Sequence, residues 1–259
     1  MNMSFSPSIT HSLNKVPEVS FFFWVIKIMA TTVGETGADF LIFNVNLGLN
    51  ATSAIMGAAL AVFLFIQLRA QKYIPWVYWV VVVLISVFGT LVTDNLVDHF
   101  GVTLPMATAV FGAALLATFV AWYASEKTLS IRTIHTRRRE LFYWAAILFT
   151  FALGTAAGDL AAEGWHLGYA VSGLIFGGLI AAVALARYVF GLNAVAAFWI
   201  AYVLTRPFGA SCGDFLSQPV DSGGLGLGTV GTSAVFLVVI LGLVSHLSVN
   251  RKKISAVQE

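Results

Sequence analysis

Charge is what this sequence lacks most. Of its 259 residues only 10% are Asp, Glu, Lys or Arg, against about 25% in a soluble domain. Meanwhile 59% are hydrophobic and the mean hydropathy is +0.88. This scarcity excludes a free-standing soluble domain. The 14 basic and 12 acidic residues leave a net charge of only +2, and the basic ones sit in short loops at segment ends, so the charge is no sign of a nucleic-acid partner. Cysteine is nearly absent too. Cys212 stands alone, which excludes an intrachain disulfide and a paired-thiolate metal site. A phosphate loop, a nucleophile elbow and a zinc-protease helix are all missing, and no enzyme is expected.

What is present is apolar length. Eight runs lie near 20–43, 51–70, 76–94, 104–124, 141–160, 167–187, 194–215 and 229–249. Each is close to the ~20 residues that cross a ~30 Å hydrocarbon core. They are continuously apolar rather than alternating, which favours helices over barrel strands. The expected fold is therefore all-α, a polytopic membrane protein with eight transmembrane helices over 20–250 and cytoplasmic tails at 1–19 and 251–259. The first run is too long for a cleavable signal, and the polar tail before it is expected to be short and mobile.

Within the runs one frame returns four times without a gap. A tryptophan is followed by a glycine ten residues on and an aspartate fifteen residues on: Trp24, Gly34 and Asp39; Trp79, Gly89 and Asp94; Trp144, Gly154 and Asp159; Trp199, Gly209 and Asp214. The tryptophans are 55, 65 and 55 residues apart, as a duplicated two-unit block would leave them, and the repeats fall at about 20–72, 75–127, 140–190 and 194–250. A period of this kind decides the architecture before any single residue does. Both segments of each unit carry small residues four apart. The first segments have Gly34 with Ala38, Gly89 with Thr93, Gly154 with Gly158 and Gly209 with Gly213. The second have Ser53 with Gly57, Thr108 with Gly112, Gly173 with Gly177 and Gly228 with Thr232. In lipid such stripes let backbones approach, and here they predict a tight hairpin within each unit.

Lys and Arg are confined to alternate loops. Arg69, Lys72, Lys127, Arg132, Arg137, Arg138, Arg139 and Arg187 follow even segments, and Lys15, Arg251, Lys252 and Lys253 lie in the tails. Loops after odd segments hold Asp98, Glu163 and Asp221 instead. The positive-inside rule then places both termini in the cytoplasm. Two segments per unit point all four repeats the same way, as parallel repeats about the membrane normal. The basic 125–140 connection offers a surface to a partner or anionic lipid, although fixing topology is the favoured account of its charge.

With Trp24, Trp79, Trp144 and Trp199 marking four tandem units, the chain resembles a family of bacterial membrane proteins built from four copies of a two-helix repeat of unknown function. The resemblance covers about 20–250. It implies the fold type and a bacterial inner-membrane location, and no chemistry. The fourth copy departs from the first, with Arg206 and Pro207 where Thr31 and Thr32 stand.

The tryptophans open each odd segment, and an indole at headgroup depth with its N–H wet is the expected role. The aspartates close the same segments. Two explanations of them stay open. Each could cap the following hairpin through backbone N–H groups, or the four could form a cation site around an axis. One turn before Asp39, Asp94 and Asp159 stand Glu35, Thr90 and Thr155, with Thr32 and Thr36 on the side of Glu35; four residues after Asp94 and Asp159 come Asp98 and Glu163. Oxygen-rich clusters suit Mg²⁺, Ca²⁺, Mn²⁺ or a proton. Glu35 lies roughly 20 Å along its helix, where an ionisable group calls for a functional role and a named partner. That partner is Arg206. Lys27 is shallower and is expected to snorkel. His99, His166 and Cys212 match no ligand spacing, so exposed loop histidines and a packing thiol are the simpler readings.

The favoured function is a proton-coupled transporter or exporter of a small cation, with Mn²⁺ the first candidate. Asp39, Asp94, Asp159, Asp214 and Glu35 would form the site and Arg206 the internal counter-charge. A membrane scaffold or partner subunit, and less so a haem- or quinone-linked enzyme using His99 and His166, are the alternatives.

Overall fold

The computed structural model describes residues 14–257, with side chains through Val249. Eight long helices make up most of it: α1 Phe21–Asp39, α2 Gly48–Arg69, α3 Pro75–Asp94, α4 Leu104–Glu126, α5 Arg137–Asp159, α6 Tyr169–Tyr188, α7 Ala194–Ser217 and α8 Gly228–Val257. Seven of them, α2 to α8, are long and apolar enough to cross a membrane. The remaining one, α1, carries Lys27, Glu35 and Asp39 within 19 residues. The protein is a helical membrane protein.

Local chemistry sets the helix ends. Ser20 caps α1 by accepting from Phe23 N at 3.2 Å, Thr136 caps α5 through Arg139 N at 3.3 Å, and Asn193 caps α7 through Val195 N and Ala196 N. Each satisfies amides that a helix start leaves orphaned. Pro75 and Pro105 occupy first turns, where their missing N–H costs nothing. At the other ends α1, α3 and α5 each widen into one π-helical turn immediately after the repeat aspartate, at Phe40–Asn44, Asn95–His99 and Leu160–Gly164. In α7 the chain stays α-helical through Ser217. With these turns the second and third odd segments run on to His99 and Gly164, past the ends of their apolar runs at 94 and 160, and α8 continues beyond residue 249 into what composition assigns to a tail.

The odd helices form a closed inner ring. α1 packs on α3, α3 on α5, α5 on α7 and α7 on α1. In α3 and α5, 61% of the apolar stretch is buried inside the protein, against 11% in α2 and α6, so the even helices form the outer wall. The hairpins expected within units are not what the stripes build. Each even helix leans on the odd helix of the next unit: α2 on α3, α4 on α5, α6 on α7, and α8 on α1 to close the circle. The glycines show why. A Cβ on Gly34 would strike Ser86 Oγ, one on Gly89 would lie 2.6 Å from Phe151 Cβ, one on Gly154 would strike Arg206, and one on Gly209 would strike Thr31. Every partner is the residue seven after the next repeat's tryptophan. In the even helices Gly57, Gly112 and Gly177 face Phe88, Leu153 and Phe208 of the following unit. A stripe of small residues admits a close neighbour, and for these glycines the neighbour is a helix of another unit, never the other helix of their own.

The segment before α1 is not a loose tail where it is described. Lys15 N donates to Ile134 O at 2.9 Å, Asn14 Nδ2 to Ile131 O at 3.2 Å, and Asn14 O accepts from Tyr73 N at 3.2 Å. Lys15 Nζ, which the sequence places in the mobile tail, reaches Glu140 Oε2 at 2.7 Å with both side chains buried, and Gln67 Nε2 holds the other carboxylate oxygen at 3.0 Å. Residues 1–13, and the side chains of Arg251, Lys252 and Lys253, lie outside the described residues.

Candidate functional site

The inner ring stacks equivalent residues of the four repeats in layers, one helical turn apart. The first layer comes from the residue before each tryptophan, which is aromatic in all four copies: Phe23, Tyr78, Tyr143 and Phe198. Each packs on the next repeat's tryptophan. Ring centroids are 5.8 Å apart for Phe23 and Trp79, 5.5 Å for Tyr78 and Trp144, 6.2 Å for Tyr143 and Trp199, and 5.6 Å for Phe198 and Trp24. Tyr78 and Tyr143 join hydroxyl to hydroxyl. Eight rings therefore close a collar. Trp79 and Trp144 are each 2% exposed and their indole N–H groups make no hydrogen bond among the described residues. This corrects the headgroup role, because a packed ring system outweighs a wet N–H.

One turn further, Lys27 shares a layer with Val82, Ile147 and Tyr202, all fully buried. Its ammonium does not snorkel. Nζ sits 4.2 Å from the centroid of the Phe151 ring and 4.4 Å from that of Tyr202, and makes no hydrogen bond among the described residues. The rings that enclose it supply a cation–π contact and leave the stem no path to water.

The next two layers hold the expected ion pair. Arg206, fully buried, reaches one turn toward the aspartates, where its own repeat carries only Ala210. There Nη2 donates to Glu35 Oε2 at 2.9 Å, to Thr155 Oγ1 at 2.7 Å and to Thr90 Oγ1, while Nη1 donates to Thr31 O at 3.3 Å. Thr90 Oγ1 also donates to Glu35 Oε2 at 3.3 Å. The fourth repeat's arginine thus ties together the equivalent position of the other three, and the missing side chain at Ala210 makes the room.

Beyond this pair the inner ring encloses a cavity of about 370 Å³. Glu35 lies at its floor. Asp39, Asp94, Asp159 and Asp214 line its wall with Thr93, Tyr169 and Gln218, and the exposed Asp98 and Glu163 also line it. No Lys or Arg is among the lining residues. The four aspartates do not converge equally. Carboxylate oxygens of Glu35, Asp159 and Asp214 lie within 4.8 Å of one another, while Asp39 accepts from Gln218 Nε2 at 3.5 Å. Among the described residues none of the four accepts a backbone N–H, so they are not helix caps.

Other expected members fall elsewhere. Thr36 turns away to Ser233 of α8 at 2.7 Å, and Thr32 Oγ1 donates to Gly209 O at 3.1 Å. His99 and His166 are exposed, and Cys212 is partly buried in α7. Gln218 and Tyr169 are not singled out by the sequence, and Thr93 figures there only as a packing position beside Gly89. Gln218 stands four residues after Asp214 and corresponds to Asp98 and Glu163, a signal the spacing did contain.

A family profile described as Repeat of Unknown Function (DUF347) matches four consecutive segments, 22–73, 77–128, 142–192 and 197–253. Each begins two residues before a marker tryptophan. No curated protein and no solved structure matches the chain.

Proposed function

The chain belongs to this family of tandem DUF347 repeats, and from that premise we propose that it is a secondary transporter of a small cation, with Mn²⁺ the first cargo to test. The observation that carries the reading is the acidic axial cavity, in which Glu35, Asp159 and Asp214 bring carboxylate oxygens within 4.8 Å. Two like charges ~4 Å apart repel by about 4 kcal/mol at an effective dielectric near 20. Arg206 offsets one of them, and a bound cation or a proton relieves the rest. That balance is the basis for exchanging cation against protons. Hard carboxylate oxygens favour Mn²⁺, Mg²⁺ or Ca²⁺ over softer ions.

The proposed setting is a bacterial inner membrane spanned eight times, with the four repeats pseudo-symmetric about the membrane normal and the tryptophan ends cytoplasmic. The absence of Lys and Arg from the loops at the aspartate end supports that orientation. The cavity then faces outward. Lys27, Arg206 and the aromatic collar block the way inward, so a transport cycle has to displace them together.

A second reading, a non-transporting membrane partner subunit, draws on the same closed collar. Flux separates the two. Protein in proteoliposomes should accumulate Mn²⁺ under a proton gradient, and Asp159→Asn with Asp214→Asn should abolish this while leaving the melting temperature nearly unchanged. An absence of Mn²⁺, Mg²⁺, Ca²⁺ and proton flux from the wild type would sink the transporter.

A further inference from the structure

A second cavity, of about 670 Å³, opens at the tryptophan end on the outside of the inner ring. Its walls are apolar and come from three helices: Trp24 and Ile28 of α1, Ile180 and Val183 of α6, Phe198 and Ala201 of α7. The loop between α4 and α5 closes one edge with Ser130 and Arg132, and Arg187 at the end of α6 stands on the same rim. No carboxylate is among the lining residues.

Three features describe an occupant. The groove is apolar along its length and cationic at one end, which is the polarity of an anionic amphiphile. Arg132 is exposed, and its guanidinium makes no hydrogen bond or ion pair among the described residues; Arg187 uses Nη1 on Leu192 O at 3.1 Å and is otherwise exposed. Finally, the closed collar is uncovered here. Trp79, Trp144 and Trp199 are at most 5% exposed, whereas Trp24 is only half-buried and lines the groove. We propose that this groove is a binding site for an anionic phospholipid, with acyl chain along α6 and α7 and phosphate between Arg132 and Arg187. Basic pockets between transmembrane helices take such headgroups, and an arginine presents paired donors to a phosphate. The site is independent of the cation cavity and of any transport.

Native mass spectrometry of the full chain tests it, with phosphatidylglycerol and phosphatidylcholine of identical acyl chains offered in equal amounts. Phosphatidylglycerol should be retained on the order of tenfold better. R132Q with R187Q should bring the two lipids to parity, and Ala201→Trp, which fills the groove, should lower retention of both. Should the double variant fail to fold, R132Q alone removes an unpartnered exposed charge and should cut the preference about threefold. Parity in the wild type, an undiminished preference in the arginine variants, or full competition by millimolar inorganic phosphate would each overturn the proposal, the last by reducing the site to a free-anion contact.

Discussion

The two ends of the inner ring are made from the same four repeats and behave in opposite ways. At the tryptophan end, repeating an aromatic pair around an axis makes each ring the neighbour of the next, and the circle closes on Phe198 and Trp24. At the aspartate end, repeating a carboxylate around the same axis makes each charge the neighbour of another like it, and a cavity remains. Apolar repetition adheres and charged repetition holds open. The residues that break the repeat, Lys27, Glu35 and Arg206, lie between the two ends and belong to neither pattern.

The largest effect should come from the junction. Arg206→Met leaves Glu35 buried at the cavity floor without its cation, and breaking a buried pair costs roughly 3–5 kcal/mol. A collapse in melting temperature in detergent is expected, and adding Glu35→Gln should recover most of it. A double-mutant cycle with simple additivity would show that the pair does not join the two ends.

Tightness of the ring comes next. Gly89→Ala places a methyl 2.6 Å from Phe151 Cβ and 3.3 Å from Ala152 N, so α3 and α5 have to separate at a cost of about 1–3 kcal/mol. Gly178→Ala meets nothing within 4 Å and should gain up to ~1 kcal/mol from helix propensity. Thermal melting of the two variants should move in opposite directions. Equal shifts would remove close approach as the reason for the glycine.

Lys27→Met sharpens the contrast at the closed end. It loses a cation–π contact worth ~0.5–2 kcal/mol and relieves a buried amine with no hydrogen-bond partner, which costs a comparable amount. A change within about 1 kcal/mol is expected in melting experiments. A severe loss would mean that Lys27 has a structural role the two rings do not account for.

The smallest effect on stability belongs to the open end. Asp214→Asn relieves like-charge repulsion in cation-free buffer and should raise the melting temperature slightly. In millimolar Mn²⁺ the wild type should catch up and pass it. Identical responses of both proteins to Mn²⁺ would detach Asp214 from the cation.

Much of this was legible without coordinates. The four frames aligned because no insertion interrupts them, and Glu35 with Arg206 stood out as the two opposite charges deepest in apolar runs. What failed had physical causes. The small-residue stripes reported that a backbone comes close and could not say whose, so Gly34 was assigned to its own hairpin when it admits Ser86. A tryptophan taken singly points to headgroup depth, although an aromatic precedes all four and only the pair explains burial. Lys27 was judged by depth alone, while Phe151 and Tyr202, from two other repeats, decide where its stem can go. The π-helical turns after three aspartates carry no residue signature at all.

The interlocked wall has a consequence for how the protein is made and where it came from. α8, made after the seven other described helices, covers α1, so α1 waits for it with one flank uncovered, and no unit completes its own packing. By the same token the covalent links are not what closes the circle. Two shorter chains of two repeats each would have the same helix contacts to make, and the 55, 65 and 55 spacing of the tryptophans is the one a duplicated two-unit block leaves.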